Sequence, residues 1–163
     1  MKRNGTRLKA KMGGVQMKRL SKLRGEASVL VGILSGAGEH PKAESGQTLA
    51  EVAFWNEFGT SRIPPRPFLT RTVREKNYYK SEFKSALKAY LGGKKSSIVS
   101  LNLIGLRASN DVKLMITSIM TPPNAPSTQR AKADKSHVTA SAVNNPLIDS
   151  GSLRAAINYQ VVT

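Results

Sequence analysis

Eighteen residues, Val52 to Leu69, hold the chain's only tryptophan, three of its four phenylalanines and three of its eight prolines. Bulky rings and rigid rings constrain a backbone in opposite ways, and their order here leaves few choices. Phe54 and Phe58 are four residues apart, so a helix of 3.6 residues per turn puts them on one face with Trp55 beside them. Gly59 then suits a helix stop, because glycine enters the left-handed region without a Cβ clash. Pro64, Pro65 and Pro67 hold the next stretch extended, with Arg62 and Arg66 pointing sideways from a stiff rod. Pro67 also suits the first position of a following helix. The expectation is helix, glycine stop, rigid basic loop, helix.

Upstream, Thr48 with Glu51 three residues later predicts a capping box that starts the first of these helices. The apolar run from Ala27 to Leu34 predicts a central strand buried on both faces. Ser35 to Gln47, glycine-rich and almost free of apolar residues, reads as an exposed loop. Its glycines do not make a phosphate-binding loop, since no Gly-Lys-[Ser/Thr] closes the spacing and no helix start follows directly. Before the strand, Val15 or Met17, Leu20 and Leu23 recur every three to four residues and predict a short basic amphipathic helix ended by Gly25. Such a helix serves either as a lid over a sheet edge or as a face turned to DNA or a partner.

Downstream, Leu69, Val73, Phe83, Leu87 and Leu91 predict one long amphipathic helix from Phe68 to Leu91, stopped by Gly92 and Gly93. Its other faces form a positive ridge, including Lys80, Lys84 and Lys88. Ser96 or Ser97 caps a second long helix, in which Leu101, Ile104, Ala108, Val112, Met115 and Ile119 make a continuous stripe. Ala108 is its narrow point, where another helix can approach closely. The short Gly-Gly turn predicts an antiparallel hairpin. Thr121 to Asn144 has no periodicity and reads as a flexible basic loop. Asp149 or Ser150 then caps a helical turn through Leu153 and Ala156, and Asn158 to Thr163 reads as a closing strand. The fold class is therefore α+β: a small, mostly antiparallel sheet packed against a long helix hairpin, with a basic N-terminal arm and a long flexible loop at 121–144. Residues 15–163 read as a single domain. At this length a chain buries about 70% of its unfolded surface, enough for one core without staples.

The formal net charge is +16, and residues 1–25 carry nine Lys or Arg with no acid before Glu26. Residues 1–14, with Gly5, Gly13 and Gly14, read as a disordered basic arm. Such a balance implies an anionic partner or neighbourhood. With no cysteine there is no disulfide scaffold, thiolate metal site or thiol nucleophile. The longest apolar run falls far short of the ~20 residues of a membrane span, and no apolar h-region with a cleavage site follows the basic start. His40 and His137 both sit in polar loops, no zinc spacing or Gly-x-Ser-x-Gly elbow occurs, and no pattern pairs the ten acids. The expectation is a binding or assembly module, not an enzyme, with no catalytic residue, metal or other cofactor.

The run EVAFWNEFGTSRIPPRPFL, residues 51–69, resembles the Asn-Glu-Phe-Gly-Thr, Ile-Pro-x-Arg-Pro-Phe-Leu segment of the tail-completion and head-to-tail joining proteins of tailed bacteriophages. A second run, Asn145 to Ile157, resembles the Pro-Leu-Ile-Asp-Thr-Gly-x-Leu-Arg-x-Ser-Ile segment of that family, with Ser150 in place of its Thr and Ala156 in place of its Ser. The resemblance implies a structural virion protein, assembled in the host cytoplasm. It would form a homo-oligomeric ring at the neck or head-proximal tail end and contact neighbouring connector and tail proteins. Subunit-interface residues on that reading are Trp55, Phe58, Arg62, Ile63, Arg66 and Phe68 in the first run and Leu147, Ile148, Asp149 and Arg154 in the second. The aromatics have an alternative use as the fold's own core. The ring lumen of the family conveys the genome, which assigns Lys2, Arg3, Arg7, Lys9, Lys11, Lys18 and Arg19 to loose, non-specific contact with DNA. The charge alone supports a different reading, a free-standing nucleic-acid-binding protein. A minor tail subunit is a third.

Overall fold

In a computed structural model, the described residues are 27–34, 46–94, 96–135 and 140–162, together with Val15 and Lys18. The expected arm at 1–14, most of the 15–23 helix and most of the 35–47 loop lie outside them; Val15 and Lys18 are helical. The elements in order are β1 (Ser28–Ile33), α1 (Leu49–Phe58), α2 (Phe68–Glu75), α3 (Tyr79–Leu91), α4 (Ser97–Ser118), α5 (Pro126–Ala133), α6 (Ala140–Asn144), α7 (Ser152–Ala156) and β2 (Ile157–Val162). The class is α+β, as expected.

α4 is the axis. Its stripe of Leu101, Ile104, Val112 and Met115 is buried, as is Ile119 just beyond its end, and β1, β2, α2 and α3 all pack against it. The close approach falls at Gly105, not at Ala108. A Cβ built on Gly105 would lie 2.3 Å from Cδ2 of Tyr159, so only glycine lets β2 lay that ring on the helix. The two strands pair antiparallel, from Ser28 opposite Val162 to Ile33 opposite Ile157. β1 is thus half of a two-stranded ribbon and not a central strand. Val31 and Ile33 pack on the core, while Leu30 on the other face is exposed.

The single helix expected over 68–91 is two. α2 ends at Lys76 (φ −93°, ψ 72°), and α3 begins after Tyr78. At the break the hydroxyls of Tyr78 and Tyr79 both donate to one carboxylate oxygen of Asp111 on α4, Tyr79 at 2.7 Å, with the two rings 4.9 Å apart. Consecutive residues of a continuous helix diverge by about 100°, so reaching one acceptor favours a break there. α3 packs chiefly on α4 and buries none of its own residues.

The segment expected to be a flexible loop holds α5 and α6. Pro126 occupies the first turn of α5, where its missing N–H costs nothing. The stretch before α5 is pinned by Arg66, and α5 is anchored from within by Lys132.

Candidate functional site

The aromatic and proline-rich run folds as predicted in outline, and its details explain its composition. Thr48 and Glu51 form the capping box that starts α1; the Thr48 hydrogen bonds hold the Glu51 carboxyl below the usual carboxylate range. Gly59, with φ 78°, ends the helix and donates to Trp55 O at 2.8 Å. A Cβ there would meet Ile63 O and the Pro65 ring at 3.0 Å, so the turn also needs glycine for space. Thr60 closes the turn by accepting from the N–H of Arg62 and of Ile63 at 3.2 and 3.0 Å. Pro67 takes the cap position just before α2, one residue earlier than expected, and has no side-chain group to offer the first turn. Glu57 supplies it instead. Its carboxylate, 4% exposed, accepts from the N–H of Leu69 and of Thr70 at 2.8 Å each, so α1 caps α2.

Arg66 does not project from a rod. It is 4% exposed, and its guanidinium donates to Pro122 O at 2.8 Å and Pro123 O at 2.9 Å. Burial pushes its pKa down from the ordinary value. Its own N–H donates to Asn56 O at 2.6 Å. Arg66 thus ties the proline turn to the segment entering α5, whose Thr121–Pro122 bond is cis.

The second run locks in a similar way. Asn145, fully buried, donates to Ile116 O and Thr117 O at 3.1 and 2.9 Å, satisfying carbonyls at the end of α4, and accepts from Leu147 N at 2.8 Å. The Lys132 ammonium donates to Asn145 O at 2.8 Å and Ile148 O at 2.5 Å. Burial pushes its pKa down, with the charge of Asp149 opposing. Asp149 does not cap a helix, as it pairs with Lys135. The cap position of α7 falls on Gly151, φ 82°, with Ser150 Oγ accepting from Ser152 N at 3.3 Å.

The interface residues expected from sequence therefore divide. Phe68, Leu147 and Arg66 are interior, and the first two share one core cluster with Leu153, Met115 and Ile157. The surfaces of these three are taken up within the chain. Ile148 is half-buried against the same core. Trp55, Ile63 and Asp149 are half-buried, and Phe58, Arg62 and Arg154 are exposed. Of the expected DNA-facing residues only Lys18 lies among those described, and it is exposed; Lys2, Arg3, Arg7, Lys9, Lys11 and Arg19 lie outside.

Sequence reasoning named Phe58 for a contact but missed Phe54 beside it and a second stripe on α4. Phe54 and Phe58 are not core. Their rings stack tilted at 4.9 Å and are 59% and 64% exposed. On α4, a second stripe of Val99, Leu103, Leu106 and Leu114 is exposed opposite the buried one. Between α3 and α4 lies an open groove of about 770 Å³ lined by Ala86, Ala89, Leu103 and Leu106, with Glu82, Arg107 and Asp111 as its charged residues. Arg107 pairs with Glu82 and lies 5.4 Å over the Tyr78 ring. The signal for the second stripe was present at three-and-four spacing, but the first stripe is longer and masks it.

Among the described residues no helix is long and apolar enough to cross a membrane, and no group of three or more His, Cys, Asp or Glu is placed to hold a metal. No protein-family model, curated protein or solved structure matches the chain.

Proposed function

We propose that this chain is a structural subunit of a tailed bacteriophage, forming a ring at the neck or head-proximal tail end that completes the tail and joins it to the capsid. The observation that carries the reading is the convergence of the two sequence runs that resemble that family. They lie some 80 residues apart in sequence, yet Phe68 of one and Leu147 and Leu153 of the other share a core cluster. Two runs that fold as one interlocked unit are better explained as parts of one inherited scaffold than as separate coincidences. The unit leaves Phe54, Phe58 and Arg62 outside, which suits a subunit that completes its surface against neighbours. A ring needs a patch that meets a different patch on the next copy. With +16 of charge, its lumen would let DNA pass while holding it only through phosphates.

The test is the mass of the purified protein by light scattering at low and high salt, with and without short duplex DNA. A closed oligomer of fixed mass, strengthened by salt that screens its self-repulsion and indifferent to DNA, is the expected result. A monomer that binds duplex DNA with steep salt dependence would replace this reading with a free-standing nucleic-acid-binding protein.

A further inference from the structure

Among the described residues nothing covers the aromatic pair or the α3–α4 groove, and the two lie on different parts of the molecule. Phe54 and Phe58 project from α1, which packs on α2, α7 and β1. Among the described residues the groove is walled by α3 and α4 alone, and no residue of α1 lines it. One chain therefore does not seat its own aromatic pair there. We propose that the groove receives the Phe54–Phe58 pair of a second copy of this chain. This rests on the ring reading and specifies its subunit contact.

Three features select a second copy as the occupant. The first is fit. The groove volume lies within the ~300–1,000 Å³ of clefts that enclose compact apolar groups, and its walls of Ala86, Ala89, Leu103 and Leu106 present small and branched side chains to two tilted rings. The second is charge. The groove's charged lining is Glu82 and Asp111 against Arg107, a net of one negative charge, in a chain that is otherwise strongly basic. Arg62, exposed four residues beyond Phe58, supplies the opposite charge beside the rings. The third is geometry of assembly. A projecting patch that complements a hollow elsewhere on the same molecule makes a head-to-tail contact, which closes into a ring when the rotation per subunit permits. Two phenylalanines bury on the order of 150–250 Å² each when fully covered, against roughly 800 Å² per partner in a standard interface. The pair is thus the centre of the contact, with the exposed turn at 60–65 along its rim.

A head-to-tail contact has a signature that a self-paired one lacks. One variant, Phe54→Ser with Phe58→Ser, keeps the groove and loses the rings. Another, Leu103→Glu, keeps the rings and blocks the groove. Every substituted residue is exposed, and unchanged circular dichroism and melting temperature verify the fold. At protein concentrations of hundreds of micromolar, the wild type assembles, and each variant alone associates at least tenfold more weakly. An equimolar mixture of the two forms a dimer and nothing larger, since one intact contact remains and both outer ends are dead. The chain has no cysteine, so a mixture of Phe58→Cys and Leu103→Cys chains provides a second readout. It should yield cross-linked heterodimers well above those from Phe58→Cys mixed with Leu114→Cys. If the wild type assembles but the mixture stays monomeric and the cysteines do not join, the contact is wrong and the ring reading stands. Assembly that survives loss of the rings but not Leu103→Glu means the groove pairs with itself and overturns the proposal. A wild type that stays monomeric at every concentration and ionic strength removes both.

Discussion

The turn between α1 and α2 and the arm made by α3 and the start of α4 are both rich in apolar residues, yet they treat them in opposite ways. In the turn the buried polar side chains are spent within the chain, while Arg62 stays exposed. Glu57 caps the next helix, Arg66 holds two proline carbonyls, and Phe68 is 0% exposed. In the arm, α3 has no fully buried residue, Phe83 and Leu87 are exposed, and α4 carries a second apolar stripe that no described residue covers. One region is complete as a folded object. The other has the composition of a core and lacks the second surface to make one. The difference teaches that Glu57, Arg66 and Phe68 of the first run build the scaffold, while the exposed apolar surface of α3 and α4 lies outside that run.

The comparison breaks first at the core. Phe68→Ala should destabilise the protein by about 4 kcal/mol, since the ring is fully buried where α2 meets the core. Urea unfolding measures this, and a cost near that of a surface residue would mean the turn is not the closed unit described. Glu57→Ala comes next, at about 2 kcal/mol, because it removes a buried carboxylate and leaves the part-buried N–H groups of Leu69 and Thr70 without their acceptor. Hydrogen exchange should locate the loosening in the first turn of α2, and protection unchanged there would refute the capping role.

The arm's polar lock is Tyr78 and Tyr79 on Asp111. Burial and the bonds to Asp111 push both phenols above their ordinary value of 10.0. From neutral pH to about pH 9 both are neutral, folded or unfolded, and the lock contributes in full. Above it the unfolded chain sheds protons that the folded chain keeps, so stability falls as pH rises. Lys132, with its lowered value, acts in the opposite sense, but it is common to wild type and variant. Tyr79→Phe should cost about 1 kcal/mol at neutral pH and flatten the alkaline loss. Parallel stability curves for the two proteins from pH 9 to about 11 would show that Tyr79 does not carry that loss. Smallest of all, Leu103→Ser should change the monomer's stability by no more than about 0.5 kcal/mol. A cost of several kcal/mol would place Leu103 in the core and erase the contrast between the two regions.

Much of the scaffold is legible from local patterns. The Thr48–Glu51 capping box, the Gly59 stop and the long stripe of α4 depend on residues within a turn or two, where spacing and backbone chemistry decide. The misses share a cause. The break at Lys76 to Tyr78 follows from an acceptor some thirty residues away on α4, and the pattern of Leu69, Val73, Phe83 and Leu87 runs across it unbroken. α5 shows only Pro126 as a start signal, and what holds it is Lys132 reaching Asn145 and Ile148. Arg66 reads as a surface cation because arginine in a proline loop usually is one; two carbonyls from residues 122 and 123 make the interior tolerable for it. Three of the ten expected contact residues, Arg66, Phe68 and Leu147, are interior for the same reason, since burial is a property of what comes back from far along the chain.

Local sequence, then, determined where α1 begins and ends, the long apolar stripe of α4, and that the chain is strongly basic. These follow from backbone sterics, side-chain periodicity and a count of charges. The tertiary structure alone decided which of α4's two stripes meets the sheet, that Gly105 rather than Ala108 admits Tyr159, and that Phe54 and Phe58 face outward while Phe68 faces in. Those outcomes depend on how distant segments fill a shared volume, and a given spacing of apolar residues is compatible with either side being covered.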